Sequence, residues 1–166
     1  MTDYCFVTTW VIDAPIERVW EEIIHSERWT NWWKYVESVV DTEPSEDSGT
    51  EKIQRITWTT PLFYKLVFDT QLTRIEPPNL LALVAKGDVD GVGLWELESV
   101  EQGTLVRYTW KVKTTKVWMN ILAVFIKPLM EWNHNTIMQQ GGEALAQLLD
   151  TRLIASEAGN IKPDID

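Results

Sequence analysis

The side chains best suited to chemistry in this sequence lie within apolar segments. His134 lies on the apolar face of a C-terminal segment with helical periodicity, where an imidazole can donate, accept or transfer a proton near neutral pH. Tyr108 and Trp110 lie two residues apart in a segment with strand periodicity, and they offer an O–H and an N–H group. His134 and Tyr108 are therefore the candidate catalytic residues. Ordinary core packing explains each of them as well, and the sequence leaves both interpretations open.

Tryptophan is frequent in this chain, with ten in 166 residues. A large, rigid and amphipathic side chain suits either a bulky core or the wall of a ligand cavity, and composition does not separate the two. The candidate wall of the ligand cavity combines aromatic residues, most of them expected on one face of the sheet, with polar and flexible residues of the helix. This predicted ligand-cavity set is Trp33, Trp58, Phe68, Trp95, Tyr108, Trp110, Trp118, His134 and Met138.

Several more specific motifs are excluded. The glycine- and aspartate-rich segment 87–93 has the wrong spacing for a calcium loop. It is not a dinucleotide-binding fingerprint either, because it joins two strands instead of opening a helix. The segment therefore predicts a hairpin turn. His25 and Glu27 have no third partner that would complete a metal site. Cys5 is the one cysteine, which excludes an intramolecular disulfide, and we expect it to be a small buried residue. No metal and no cofactor are expected.

The charge balance limits the partners. The chain has 15 lysines and arginines against 25 acidic residues, a formal net charge of −10. Phosphate backbones repel such a chain, so we expect no nucleic-acid partner, and anionic membrane surfaces are disfavoured for the same reason. The longest uncharged apolar run, Val117 to Ile126, is too short to cross a bilayer, so stable membrane insertion is not expected. The N-terminus lacks the features of a signal peptide, and the expected location is cytoplasmic. The oligomeric state stays open.

The N-terminal part predicts a strand followed by two short helices. Apolar residues alternate from Tyr4 to Ile12, which is typical of a strand. Apolar residues then recur at helical spacing from Ile16 to Ile24, and a second short helix is expected from Arg28 to Trp33.

From Tyr35 onward the period changes to two. The acidic connection 43–49 and other turns divide this region into segments, which predicts an antiparallel meander. The candidate strands are Tyr35–Thr42, Glu51–Thr60, Tyr64–Ile75, Leu80–Lys86, Val92–Val100 and Thr104–Thr115.

The last predicted hairpin gives a register that can be checked. A turn centred on Gln102 and Gly103 would place Glu98 opposite Arg107 and Trp95 opposite Trp110. The charged pair then lies on one face and the aromatic pair on the other, as a half-buried sheet requires.

Helical periodicity returns after Lys116 and continues to Leu149. Pro128 is expected to end or kink a first helical stretch, because proline lacks the N–H donor. Gly141 and Gly142 lie in the middle of the helix, where each costs about 1 kcal/mol relative to alanine. Close approach of the sheet or a simple bend would explain them, and the sequence does not decide between the two.

These elements predict one α+β domain, residues 1–153, in which a curved antiparallel sheet of about seven strands wraps around the long C-terminal helix. A strongly curved sheet cannot close fully on a helix, so a cavity is expected between them. Residues 154–166 contain few large apolar side chains, and we expect a flexible tail there.

The sequence resembles the helix-grip superfamily, in particular its polyketide cyclase/dehydrase-like branch, which is related to START domains and the birch-pollen-allergen group. Four segments carry the resemblance. They are the strand-to-helix entry 12–20, the tryptophan-rich segment 28–33, the late hairpin around 93–97 and 102–106, and the helix end 142–149.

The resemblance implies a helix-grip fold with an apolar cavity between sheet and helix, and it implies no particular chemistry. The first hypothesis is a protein that binds or carries a hydrophobic or aromatic small molecule or lipid. The second is a cyclase/aromatase or dehydratase that uses His134 or Tyr108 in acid/base steps. The third is an interaction or regulatory module whose cavity its own tryptophans fill.

Overall fold

An eight-stranded antiparallel sheet is the largest element of the protein, as seen in a computed structural model that describes residues 3–42, 50 and 52–160. Its strands are β1 (Asp3–Ile12), β2 (Val36–Asp41), β3 (Ile53–Thr59), β4 (Lys65–Glu76), β5 (Leu80–Gly87), β6 (Val89–Val100), β7 (Gly103–Thr114) and β8 (Leu153–Asn160). The spatial order is β2-β3-β4-β5-β6-β7-β1-β8. The predicted meander is confirmed, with bounds within about three residues of those expected from the period-two pattern. The connection 43–49, and Glu51 at the start of the predicted second strand of the meander, lie outside the described residues.

Strand β8 corrects the expected flexible tail. Residues 153–160 pair with β1 in antiparallel register, with Thr9 opposite Glu157 and Val11 opposite Ala155. The prediction was wrong here because it relied on large apolar side chains, whereas the backbone supplies the hydrogen bonds of a sheet. Small residues at Ala155, Ala158 and Gly159 suit an edge strand that contributes little to the core. Residues 161–166 lie outside the described part of the chain.

The β6–β7 hairpin has a different register from the one predicted. Val100 lies opposite Gly103, so the connecting loop is the two residues Glu101 and Gln102. Trp95 consequently lies opposite Tyr108 instead of Trp110. The shift is two residues, which preserves the face of every side chain, because the side-chain period of a strand is two.

The helices are α1 (Ile16–Ile24), a 3₁₀ helix (Ser26–Asn31), α2 (Val117–Ile121) and α3 (Ala123–Leu148). The expected break in the C-terminal helix occurs at Leu122, whose carbonyl accepts from the amides of Phe125 and Ile126, and not at Pro128. Pro128 lies in the second turn of α3, where the missing N–H would have paired with the carbonyl of the exposed Val124. Among the described residues no helix is both long and apolar enough to span a membrane.

The concave face of the sheet packs against α3. Strand β1 buries Tyr4, Phe6, Thr8, Trp10 and Ile12 on this face, and the intervening residues point outward. The opposing side of α3 buries its own apolar residues, which are Met130, Ile137, Met138, Leu145 and Ala146. The alternation of β1 and the helical stripe of α3 therefore supply the two walls of one core.

Gly141 and Gly142 are explained by close contact with tryptophan rings. A Cβ on Gly141 would lie 2.3 Å from the ring of Trp33, and one on Gly142 would lie 2.8 Å from the indole nitrogen of Trp10. Of the two explanations that the sequence left open, close approach is the one that the structure supports.

Candidate functional site

A cluster of five tryptophans occupies the centre of the domain. Trp33 contacts Trp10, Trp29 and Trp58, and Trp95 contacts Trp10 and Trp29, with ring centroids between 5.0 and 6.2 Å apart. Tilted and edge-to-face arrangements of this kind are favourable beyond the area they bury. The cluster fills part of the space between sheet and helix and leaves a chamber on either side.

The inner chamber lies between the cluster and α3, with a volume of about 110 Å³. None of the described residues that line it is an aspartate, glutamate, lysine or arginine. Apart from Thr114, Asn133 and His134, the lining is apolar or aromatic. Its walls come from β1, β3, β4, β6, β7, the 3₁₀ helix, α2 and α3, so residues distant in sequence meet here. An apolar chamber of this kind favours ligands that bury aromatic or aliphatic surface.

The outer chamber lies toward α1 and has a volume of about 300 Å³. Its inner part is apolar, whereas polar residues line its other end: His25, Ser26, Glu27, Lys52 and Gln54. The two chambers share six aromatic lining residues, which are Trp29, Trp58, Phe68, Trp95, Tyr108 and Trp110. A ligand can therefore contact the same aromatic wall from either chamber.

Five polar atoms of inner-chamber residues have no hydrogen-bond partner within the described part of the protein. They are the hydroxyl of Tyr4, the indole nitrogens of Trp58 and Trp95, Oδ1 of Asn133 and Nδ1 of His134. Buried polar groups are ordinarily satisfied, and these five are more than half of the nine such atoms among the described residues. The other four, on Thr8, Trp10, Trp32 and Gln140, belong to residues that do not line this chamber. The set combines N–H and O–H donors with acceptor atoms, and it can orient a mostly apolar molecule that has a few oxygen atoms.

His134 is held as a neutral imidazole. Its ring stacks on Phe6 with centroids 4.3 Å apart and an interplanar angle of 16°. Burial lowers the pKa of His134 to about 4, because the charged form loses hydration in this apolar setting. At neutral pH the ring is therefore a donor and an acceptor of hydrogen bonds rather than a charge.

Two tyrosines of the chamber are also kept neutral. Burial raises the pKa of the Tyr108 hydroxyl well above its usual value, and it raises the pKa of Tyr64 to about 12. Tyr108 stacks on Trp95 with ring centroids 4.0 Å apart. The hydroxyl of Tyr64 donates to Sδ of Met130 at 3.1 Å and accepts from Nδ2 of Asn133 at 3.2 Å.

Eight of the nine residues predicted for the cavity lie around the inner chamber. They are Trp33, Trp58, Phe68, Trp95, Tyr108, Trp110, His134 and Met138. The ninth, Trp118, lies outside both chambers on α2, where it is partly exposed and contacts Tyr64 edge-on. The prediction that Trp118 lines the cavity was wrong. The C-terminal helix is interrupted at Leu122, and the short helix α2 before this break turns Met119, and not Trp118, toward the chamber.

Asn133 is the most informative residue that sequence reasoning missed. It is only 4% exposed, and both its hydrogen bond to Tyr64 and its unpartnered oxygen are at the chamber. Its position one turn before Ile137 on the apolar stripe was a usable signal. Tyr4, Phe6 and Trp29 also line the chamber. The alternation of β1 and the tryptophan-rich segment 28–33 were the usable signals for these three, whereas nothing local in the sequence marks Tyr64.

The other residues considered for chemistry have structural surroundings. His25 lies within hydrogen-bond distance of Glu21 and Glu27, and the described residues contain no group of three side chains that could hold a metal. Cys5 is partly exposed on the outward side of β1, whereas a buried position was expected. Segment 87–93 contains the expected turn, centred on Asp88, whose Oδ2 accepts from the amide of Val67 at 2.8 Å.

Structural comparison relates this fold to several solved proteins. One is the di-domain aromatase/cyclase BexL from the BE-7585A biosynthetic pathway, with a TM-score of 0.70, 16% identity and 90% of this chain covered. This chain spans only 51% of that di-domain protein. The protein TTHA0849 from Thermus thermophilus matches over 89% of this chain and 99% of its own length, with a TM-score of 0.67 and 19% identity. Ara h 8.0201 matches over 90% and 99%, with a TM-score of 0.59 and 10% identity.

At these identities the structural likeness establishes a shared helix-grip fold and nothing more specific. No curated protein matches this sequence significantly. The sequence does match the model of one family over residues 4–150, which is most of the chain. The protein therefore belongs to the family described as polyketide cyclase / dehydrase and lipid transport.

Proposed function

We propose that this protein binds a planar, mostly apolar small molecule with a few oxygen atoms, placed against the aromatic wall that the two chambers share. The observation that carries the proposal is the group of buried polar atoms without a protein partner at the inner chamber, such as the indole nitrogens of Trp58 and Trp95. These atoms belong to a lining that is otherwise apolar. An apolar wall supplies affinity, and a few fixed polar groups supply orientation.

The dimensions favour a compact ligand. A dry apolar cavity of about 150 Å³ is known to accept one benzene ring, so the inner chamber, at about 110 Å³, suits a single ring or the end of a larger system. The outer chamber, at about 300 Å³, can hold the remainder, with polar substituents toward Lys52 and Gln54. A two- or three-ring aromatic compound with hydroxyl or carbonyl groups matches this division.

A cyclase or dehydratase acting on such a molecule is the second candidate, favoured by the position of His134 in the chamber wall. The protonation states weigh against strong acid/base chemistry. A histidine with a pKa of about 4 is a weak base, and a tyrosine whose pKa is raised is a weak acid. We therefore place binding first. His134→Ala separates the two, because an enzyme would lose turnover while keeping its fold and most of its ligand affinity.

The third hypothesis, a core filled by its own side chains, is partly supported by the tryptophan cluster. The cluster explains Trp10 and Trp29, which both pack on Trp33, and Trp10 and Trp33 also contact the glycines of α3. It does not account for the unpartnered polar atoms at the inner chamber, which favour a ligand.

The test is a thermal-shift and native mass-spectrometry panel with 2-naphthol, 1-hydroxyanthraquinone and a straight-chain fatty acid. We expect saturable stabilisation by the aromatic compounds and retained mass for a one-to-one complex. Met138→Phe should reduce both effects by narrowing the inner chamber, whereas Val92→Phe, at an exposed position on β6, should leave them unchanged. Failure of every aromatic compound to bind the wild type would refute the proposal.

A further inference from the structure

Helices α2 and α3 present an apolar surface to solvent at one end of the molecule. Val124 and Phe125 are 87% and 84% exposed, and Val117 and Ile121 are more than two-thirds exposed. Phe63, in the turn between β3 and β4, is fully exposed. We call these five residues the α2–α3 surface. Monomeric proteins rarely leave so many large apolar side chains together in water, and such groups usually mark an interaction site.

The turn between β3 and β4 lies beside the two helices. Tyr64 follows Phe63 directly, and its ring contacts Trp118 of α2 edge-on at 5.8 Å while its hydroxyl donates to Met130 of α3. Phe63 adopts a positive φ of 62°, which is uncommon for an aromatic residue. The exposed aromatic ring and the exposed helical side chains are thus neighbouring parts of one end of the protein.

The segment that carries most of this surface has a different charge from the whole chain. Residues 117–130, which form α2 and the first turns of α3, contain Lys127 and no acidic residue, although the formal net charge of the protein is −10 and Glu131 follows directly. Lys116 pairs with Asp88 at 3.2 Å and Lys113 lies near Asp3 at 3.7 Å, whereas Lys111 and Lys127 form no ion pair with the described residues. The exposed apolar side chains of α2 and of the first turns of α3 are thus accompanied by Lys127 and by no carboxylate within residues 117–130.

The chemistry of the surface fits a lipid bilayer better than a second protein. Side chains that are more than four-fifths exposed project into solvent individually, and a soft acyl phase can surround each of them without matching their shape. Bulky apolar residues together with lysine, and no acidic residue, are typical of helices that lie in the membrane interface. Lys127 follows Phe125 by two residues and can extend its ammonium group to the headgroups.

The surface is also continuous with the wall of the inner chamber. Met119 of α2 and Met130 of α3 line that chamber, and Tyr64 lines it beside the exposed Phe63. We propose that the α2–α3 surface adsorbs to a lipid bilayer, with Val124 and Phe125 among the acyl chains and Lys127 at the headgroups. Cavity binding is not needed for this adsorption, so either proposal can fail without the other.

Co-sedimentation with vesicles of phosphatidylcholine and phosphatidylglycerol tests the proposal. The wild type should sediment with the vesicles, and Val124→Ser/Phe125→Ser should lose at least tenfold in apparent affinity. The matched control is Val40→Ser/Val92→Ser, which removes two exposed valines from the sheet and should bind as the wild type does. Both variants change exposed side chains, and circular dichroism checks that each is folded.

Two further measurements identify the occupant. Lys127→Glu should weaken binding to vesicles that contain phosphatidylglycerol more than binding to pure phosphatidylcholine vesicles, because only the former attract the ammonium group. Sedimentation velocity without lipid should give a monomer. The proposal would be overturned if the wild type did not bind vesicles, or if the Val124→Ser/Phe125→Ser variant bound them equally well. It would also be overturned if the wild type did not bind vesicles but formed a dimer that this variant abolished.

Discussion

The indole of Trp33, in the segment between the 3₁₀ helix and β2, lies against the backbone of Gly141 and fixes that segment on helix α3. Its Nε1 donates a hydrogen bond to the carbonyl of Ile137 at 3.1 Å, and its ring lies within 2.3 Å of where a Cβ on Gly141 would be. The same indole lines the inner chamber. A contact that fixes α3 in place is therefore also part of the wall of the candidate site.

We expect Gly141→Ala to destabilise the protein, although alanine is the better helix former. The propensity gain is about 1 kcal/mol, whereas overpacking a tight core contact costs about 1–3 kcal/mol. Because Trp33 is buried and its Nε1 is fixed by Ile137, its ring has little room to move, so we expect a net loss of up to about 2 kcal/mol in the free energy of unfolding. Urea denaturation measures the difference.

Gly159→Ala is the control, since nothing lies within 4 Å of a Cβ at that position, and it should change stability little. Trp33→Phe combined with Gly141→Ala should cost less than the two single changes together, because the smaller ring makes room for the methyl group. Higher stability of Gly141→Ala than of the wild type would contradict the described packing.

His134 should make the protein less stable in mild acid. The folded-state pKa of about 4 lies below the ordinary value of 6.5, so the contribution is fully present above pH 6.5 and is lost as the pH falls toward 4. The difference between the two pKa values corresponds to a loss of about 3 kcal/mol in the free energy of unfolding over that pH range. Urea denaturation between pH 7.5 and 4 measures the loss.

Carboxylates titrate in the same pH range, so the informative quantity is the difference in pH-dependent stability between the wild type and a variant that lacks the imidazole. His134→Gln should show a smaller loss than the wild type between pH 6.5 and 4. A wild-type curve that coincides with that of His134→Gln would show that the imidazole is not buried as described.

Asn133→Leu should separate ligand orientation from stability. The amide makes one hydrogen bond, to Tyr64, and leaves Oδ1 unpartnered, so replacing it with an apolar group should change stability by less than about 1 kcal/mol. Affinity for 2-naphthol should fall relative to naphthalene, which has no hydroxyl. Calorimetric titration of both compounds measures the ratio.

Gln139→Leu, at an exposed position nearly two turns further along α3, is the control and should leave the ratio unchanged. If Asn133→Leu weakened naphthalene and 2-naphthol equally, Asn133 would act through packing and not through its amide.

Strand β8 should contribute measurably to stability. Glu157 lies opposite Thr9 of β1, and a proline there removes a backbone donor and fixes φ in the middle of the strand. We expect Glu157→Pro to lower stability by about 1–3 kcal/mol and to increase amide exchange across residues 153–159. Glu157→Ala retains the backbone donor and should be close to neutral. If residues 153–160 were a frayed tail, neither change would alter the stability or the amide exchange.

The fold prediction was based on the periodicity of apolar residues. The alternation of Tyr4, Phe6 and Trp10 and the spacing of Ile137, Met138 and Leu145 determine which faces are buried, and the structure confirms both. The hairpin register was wrong by two residues because a two-residue shift leaves every face unchanged, so hydrophobic pattern alone cannot detect it. Strand β8 was missed because its pairing depends on backbone groups that side-chain patterns do not report.

The site was harder to predict than the fold. Trp95, Tyr108 and Trp110 were identifiable because strand alternation places them on the concave face. Asn133 was missed because a buried amide is meaningful only with its partner, and Tyr64 lies 69 positions away in sequence. The outer chamber depends on how α1 and the 3₁₀ helix meet the sheet, which no local pattern encodes.

The most direct test of the central claim is a titration of 2-naphthol followed by the tryptophan indole N–H resonances in a ¹⁵N-correlated NMR spectrum. If the ligand occupies the chambers, the resonances of Trp58 and Trp95 will shift in a saturable manner, since their Nε1 atoms have no protein partner at the chamber wall. Those of Trp118 and Trp132, which lie outside both chambers, will not move. Shifts confined to Trp118 and Trp132, or no saturable shift at Trp58 and Trp95, would contradict the account.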